Sequence, residues 1–488
     1  MASSSVTAQQ GRGFYRPRFS PGTYWLSRLI GPLYMRLAQG VRALRVNHME
    51  RLYREVDRFQ RGESRLMIVF RHVSVPDGPV IIKLVSQDLP RWCRAHRKKL
   101  HDAPHTHFLY GKPVLNWAGA LARWAFPRMG GIPVVNGRVE RESQLAIREA
   151  LARGRFPLAF APEGQITYHQ FETYDLAPGL ATLASWARDG ADDETRDVTV
   201  LPVSLGYSYG RRAPRVLNAA LAMLRGAVGV SGECDAVTAR DSVDRIVAHL
   251  LDLTEVVVGQ LERDYPFLRG AADLAGRARG ASSDARTGVP GAGSLQRRID
   301  ALCERAVRVG EDAVGLPSDG AILDRIFRVR NWIMSGRYRE DVDPESLAPL
   351  RRDIADRRAA LAVAIRPYER LADILEYVHT GYIFGLAPDS DPPRARSAAL
   401  DRLVEYALNL LDVVNRAGGG DVNTRFQPGG RVARILVGEP IDAGAVLAGS
   451  ESGREGRREL NRRVRAELER LTRELEERCW ETRGSERA

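Results

Sequence analysis

An imidazole, a hydroxyl and a carboxylate lie within one short stretch of this chain, Arg71-His72-Val73-Ser74-Val75-Pro76-Asp77. A histidine with one ring nitrogen held by a carboxylate can take a proton from a hydroxyl with the other, which is general-base chemistry. Pro76 keeps Val75 extended and suits the start of a helix that follows it. His72 and Asp77 therefore cannot sit one turn apart on a single helix, and a loop must fold one back toward the other. The element that must carry them is Leu66-Met67-Ile68-Val69-Phe70. It is short, continuous and apolar, and reads as a buried strand ending just before the histidine.

Two further apolar runs lie downstream. Phe156-Pro157-Leu158-Ala159-Phe160-Ala161 is the second expected strand, and Pro162-Glu163-Gly164 turns sharply at its end. Gly164 permits close backbone approach or a positive φ. Glu163 should project where several strands finish, the usual crevice for ligands in open α/β sheets. Val198-Thr199-Val200-Leu201-Pro202-Val203-Ser204-Leu205 is the third strand, with Pro202 expected at an edge or a bulge.

His-x4-Asp at a strand-to-helix junction, then Pro162-Glu163-Gly164, then Val200-Leu201-Pro202-Val203, resembles the glycerolipid acyltransferases typified by 1-acylglycerol-3-phosphate acyltransferase. The resemblance covers roughly residues 60–210 and a C-terminal piece. It implies an α/β fold, an acyltransferase-type mixed sheet flanked by helices. It implies transfer of a fatty acyl group from acyl-CoA or an acyl carrier protein to a hydroxyl of a lysophospholipid-type acceptor such as lysophosphatidate, a step of phospholipid biosynthesis. His72 would be the base and Asp77 its anchor. Glu163 and Gly164 inherit the acceptor side, with Arg138, Arg71 and Ser74 as the other substrate-binding candidates. The resemblance implies no cofactor and no metal.

The chain departs from that family at two places. The arginine that usually follows a glycine in the second block is replaced by Asn136, with Arg138 two places later, and Glu-Gly continues as Gln165-Ile166 instead of Thr-Arg. Arginine suits phosphate because its planar fork meets two oxygens at once. A phosphate on the acceptor is therefore less well provided for than acyl transfer itself. Two other readings compete: a lipid hydrolase or transacylase using the same pair, and a noncatalytic membrane adaptor on a degenerate acyltransferase scaffold. No Gly-x-Ser-x-Gly elbow is present, which argues against an ordinary serine lipase.

The 488 residues can bury ample core for two domains, and the net charge is +12. Nearly every cation is arginine; lysine occurs only at positions 83, 98, 99 and 112. No zinc spacing, basic tail or aromatic RNA-binding sequence points to nucleic acid. Cys93, Cys234, Cys303 and Cys479 are scattered and fit free thiols in a reducing compartment. His101, His105 and His107 lack companion ligands at zinc spacing, and Pro104 breaks any helix between them. There is no secretory signal and no run of eighteen apolar residues, so a cytoplasmic protein is expected, peripheral at the inner face of the membrane.

The peripheral expectation rests on Trp25, Leu26, Leu29, Ile30, Leu33, Tyr34, Leu37, Val41 and Leu44, spaced as one helix face with Arg28, Arg36, Arg42 and Arg45 interspersed. Gly31-Pro32 should break or kink that helix. A second surface, Arg91 to Lys99, could meet headgroups, the phosphates of coenzyme A or an acidic carrier. The expected organisation is an amphipathic, basic segment over 1–60, a core over 61–210, a helical extension over 211–268, a flexible linker over 269–294, a helical module over 295–427 and a closing strand and helix over 428–482. The linker is expected from its Gly, Ala, Ser and Arg content. In the last segment Arg431–Val437 alternates, Gly438-Glu439-Pro440 follows, and Leu460, Val464, Leu468, Leu471 and Leu475 share a helix face. That strand is expected to rejoin the catalytic sheet, making 211–427 largely an insertion; a separate C-terminal domain is the competing topology. The sequence carries no signal for oligomeric state.

Overall fold

The computed structural model describes residues 9–10, 13–264 with short breaks at 113, 136–139, 165, 172, 174–175, 190–196, 232–235 and 238–242, scattered positions over 295–339, then 393–417 and 426–481. The expected linker and, in the expected helical module, the helically spaced Ile322, Ile326, Val329 and Ile333 with Leu371 and Leu375 lie outside the described residues. The chain divides into two compact units. One comprises Arg12–Ser208 with Pro428–Ala488, the other Met1–Gly11 with Tyr209–Gln427.

The first unit is an α/β fold built on an eight-stranded, mostly parallel sheet flanked by helices. Its strands are β1 (Val41–Asn47), β2 (Ser64–Phe70), β3 (His107–Gly111), β4 (Gly131–Val134), β5 (Leu158–Phe160), β6 (Asp197–Ser208), β7 (Arg431–Val437) and β8 (Ile441–Asp442). In space they run β1-β7-β6-β2-β5-β3-β4, with β8 beside β6. The five strands from β6 to β4 are mutually parallel, whereas β7 is antiparallel to β6 and parallel to β1. Parallel strands with both faces covered read as unbroken apolar runs. Met67, Ile68 and Val69 of β2 are accordingly fully buried, with Ile68 on one face and Met67 and Val69 on the other.

Pro202 sits in the interior of the sheet, in unbroken register with Val69 and contrary to the expected edge or bulge, and its position explains the tolerance. β8 leaves β6 at Val200 and β7 joins it at Val203, so the missing N–H falls in the gap between them. There the Pro202 carbonyl accepts from Gly438 N at 2.8 Å. A Cβ at Gly438 would lie 2.8 Å from the side-chain ends of Glu467 and Leu471 and 3.0 Å from the Pro202 carbonyl oxygen, so glycine lets the strand and α12 approach without displacing them. The closing helix α12 (Gly453–Glu481) covers this region, and its five expected apolar residues, Leu460 to Leu475, are all buried.

The N-terminal helix α1 (Pro21–Leu37) is continuous through Gly31-Pro32. A proline removes one helical N–H, and Gly31 leaves room for Gln87, whose Nε2 would be 3.1 Å from a Cβ there. The helix ends sooner than its apolar spacing suggests. Gly40 has φ +65° and packs on Gly429, and from Val41 the chain enters β1, paired with β7. Val41 and Leu44 thus belong to the sheet, and residues 41–60 are part of the sheet unit, not of a separate N-terminal segment.

The base of α1 is pinned by an aromatic cluster of Phe19, Tyr24, His105 and Phe156. Tyr24 donates to Pro104 O at 3.1 Å, and His105 Nε2 meets Met129 O at 2.8 Å. Burial pushes the His105 imidazole down from 6.5 to about 4, against the raising effect of that carbonyl. As pH falls below 6.5 the unfolded chain binds a proton that the folded chain refuses, so stability drops until the folded value is reached. The expected loss is about 1.4 kcal/mol per pH unit, about 3 kcal/mol in all. Urea unfolding at pH 7, 5.5 and 4.5 should give a shallower decline for His105→Gln than for the wild type. Equal slopes would remove His105 from the account.

In the second unit, helices α8 (Ala213–Val228), α9 (Val243–Asp264) and α10 (Pro393–Ala417) pack together. Ile246, Val247 and Leu250 of α9 and Leu403, Tyr406 and Leu410 of α10 are buried, and Tyr406 Oη lies 2.6 Å from Thr254 Oγ1.

Candidate active site

β2 ends at Phe70, while β6, paired with it up to Val203, runs on by five residues to Ser208. The loop leaving β2 folds beside this overhang. A turn closed by Asp77 N to Ser74 O at 3.2 Å then starts helix α3 (Asp77–Lys83). Val80 N bonds Pro76 O at 2.8 Å, so the proline stands at the helix entrance, where it needs no donor.

This turn brings His72 and Asp77 together. His72 Nδ1 lies 3.0 Å from Asp77 Oδ2, and the same oxygen accepts from Ser74 N at 2.7 Å. Asp77 Oδ1 accepts from the Tyr207 hydroxyl at 2.5 Å. The Ser74 N–H can only donate and the Tyr207 hydroxyl donates as well, so the fully buried Asp77 side chain is placed as an acceptor. His72 Nδ1 therefore carries the proton and Nε2 keeps a lone pair. The imidazole is 24% exposed, enough to meet an incoming group.

The backbone of His72 is clamped on both sides. Its N–H donates to Glu163 Oε2 at 2.6 Å, and its carbonyl accepts from Thr167 N at 2.8 Å. Glu163 thus does not project into the crevice. Its side chain turns inward, 1% exposed, with Oε1 3.8 Å from Arg71 Nε. Burial raises the Glu163 carboxyl above its ordinary range, opposed by Arg71, the His72 N–H and the His72 ring. Gly164 beside it is exposed and has φ +74°, a conformation that favours glycine.

Arg71 is likewise turned inward. It is fully buried, and its guanidinium donates to Gln170 O at 2.7 Å, His169 O at 2.8 Å and Thr472 Oγ1 at 3.1 Å. In place of a substrate contact it ties the 163–170 loop and α12 to the end of β2. Ser74 is also buried; its hydroxyl accepts from Arg431 Nη1 at 3.1 Å while its N–H serves Asp77. Arg138, Asn136 and Gln165 lie outside the described residues.

The basic stretch near Lys99 is not beside the pair. The chain is helical without a break from Asp77 to Ala95, through Leu84–Asp88 and Leu89–Ala95, which places Arg94 to Lys99 about 25 Å along the helix from Asp77. Past it, Asp102 bonds Gln60 just before β2 begins, at the foot of the sheet. His107 Nδ1 is 3.0 Å from Gly130 O, and with His105 it serves as a partner for backbone carbonyls.

Tyr207 and Arg431 were not among the residues singled out from sequence. Tyr207 ends the row Leu201, Val203, Leu205 on one face of β6, and only its polar tip sets it apart. Burial and the Asp77 charge hold its hydroxyl well above the ordinary range, opposed by Arg431. The Arg431 guanidinium lies 4.8 Å over the Tyr207 ring, and its Nη2 donates to Gln39 O at 2.9 Å.

An imidazole with one nitrogen fixed by a buried carboxylate and the other free can accept a proton from a hydroxyl nucleophile and return it to a leaving group. The residues that define this site lie on the loops and strand ends at one end of a mostly parallel α/β sheet, where such folds place ligands. No family model, no curated protein and no solved structure matches the chain.

Proposed function

We propose that this protein is an O-acyltransferase that moves a fatty acyl group from a thioester, acyl-CoA or acyl carrier protein, to a hydroxyl of a glycerolipid-type acceptor such as lysophosphatidate. The observation that carries the reading is the 3.0 Å contact between His72 Nδ1 and Asp77 Oδ2, with no hydrogen-bond partner for Nε2 among the described residues. The acceptor oxygen attacks the thioester carbonyl as its proton passes to His72 Nε2. The C–S bond then breaks, and the departing sulfur takes the proton from the imidazolium. Asp77 fixes the tautomer and balances the transient positive charge. Glu163 and Thr167 hold the histidine backbone, and Gly164, exposed at the same loop, is the acceptor-side contact.

The acceptor's home supports a lipid. Trp25, Leu29, Leu33 and Leu37 on α1 are 57%, 78%, 60% and 73% exposed, joined by exposed Leu26, Ile30 and Tyr34. Leu121 and Trp124 on the helix Gly119–Arg128 are exposed as well, and that helix is tied to the start of α1 through Ser20 N to Arg128 O. A continuous apolar face of this size on a soluble surface marks an interaction site. Arg28 and Arg36 lie on the same helix, which suits an anionic bilayer. No helix among the described residues is long and apolar enough to cross a membrane. The C-terminal end of α1 reaches the catalytic pair through Gln39 O, Arg431, Ser74 and Asp77, each bonded to the next.

Leu29→Glu with Leu33→Glu should weaken binding to vesicles of equal parts phosphatidylglycerol and phosphatidylcholine by at least about tenfold, since each buried leucine contributes about 1.5–3 kcal/mol. The melting temperature should not move, because both side chains are exposed. Unchanged sedimentation with vesicles would remove the docking face. The activity itself is tested by incubating the protein with labelled acyl-CoA and acyl carrier donors and a panel of lysolipids. Label in a diacyl lipid supports transfer. Label in free fatty acid alone assigns a hydrolase, and label remaining on every donor assigns a noncatalytic protein.

A further inference from the structure

We infer that Tyr207 and Arg431 are positioning residues for the His72–Asp77 pair, Tyr207 by fixing the rotation of the Asp77 carboxylate and Arg431 by fixing the Ser74 turn and the Tyr207 ring. A carboxyl group on an aspartate turns within a broad two-fold well, so one partner does not orient it. Here Oδ2 must serve both His72 Nδ1 and Ser74 N, and it does so only while Oδ1 is held elsewhere. The Tyr207 hydroxyl supplies that hold from the overhanging end of β6.

Tyr207 is itself fixed from two sides. Its backbone N–H donates to Gln170 Oε1 at 2.6 Å, and the Arg431 guanidinium lies over its ring. Arg431 is buried and reaches Ser74 Oγ and Gln39 O with separate nitrogens, a two-pronged contact that lysine cannot make. If Tyr207 merely filled the apolar cluster it shares with Leu205 and Phe70, phenylalanine would serve as well. The hydroxyl is what the positioning role requires.

The test uses full-length protein labelled with ¹⁵N-histidine, with the His72 ring signals assigned by their loss in His72→Ala. Wild type should show Nδ1 protonated and Nε2 bare, in a single slowly exchanging tautomer. Tyr207→Phe should shift the signals toward a tautomer mixture, and Arg431→Gln should do so more weakly. In an Asp77→Ala background, adding Tyr207→Phe should change nothing further, because the group it orients is gone. The kinetic arm rests on the acyltransfer reading: Tyr207→Phe should lower kcat about 10–100-fold through misplacement of the base, with KM kept within about twofold. Wild-type ring signals in Tyr207→Phe overturn the proposal whatever the kinetics. The spectroscopic arm needs no substrate, so it decides even where no acyl transfer is found.

Discussion

Replacing His72 by alanine should lower acyl transfer by about 10²–10⁴-fold, the usual worth of a positioned general base. The fold should survive. Removing the imidazole leaves Asp77 Oδ2 with Ser74 N–H and Oδ1 with the Tyr207 hydroxyl, so no buried charge is orphaned. Asp77→Asn should behave similarly for a different reason: an amide can present either its oxygen or its NH₂ to Nδ1 and no longer dictates the tautomer. Initial rates with a fixed acyl donor, together with a thermal melt of each variant, check both statements. A folded His72→Ala protein with wild-type turnover would exclude His72 as the base.

How far this site could be read from sequence differs from part to part. β2, β5 and β6 are strongly apolar runs, and the Pro76 turn forces His72 and Asp77 toward each other, so the local geometry is legible. β1 is not. Its arginines at 42 and 45 and its continuation of the α1 apolar spacing disguise it, and only pairing with β7 nearly four hundred positions later makes it a strand. Tyr207 and Arg431 are hidden for the same reason, lying 130 positions from Asp77 and 357 from Ser74. Arg71 and Glu163 were singled out, but sequence could not tell which way they point. In the folded chain a buried ion pair faces inward, where charge types alone suggest substrate contact.

That inward pair yields the second large effect. Arg71→Met should destabilise the protein by about 3–5 kcal/mol, the usual result of removing one partner of a buried pair. The His169 and Gln170 carbonyls and the Glu163 carboxylate would lose the guanidinium together. Glu163, already raised by burial, would be harder still to ionise. Adding Glu163→Gln should recover part of the loss, because the amide oxygen can still accept from His72 N without needing a counter-charge. Urea unfolding of both single variants and the double gives the coupling directly. A change below about 1 kcal/mol in Arg71→Met would mean that the loop is held by other contacts.

The most direct measurement is an experimental structure of the protein with a lysolipid and an acyl-CoA analogue whose thioester sulfur is replaced by CH₂. The acceptor hydroxyl should lie about 3 Å from His72 Nε2, with the donor carbonyl carbon next to it. Both ligands bound away from that nitrogen, with Nε2 facing only solvent, would contradict the account.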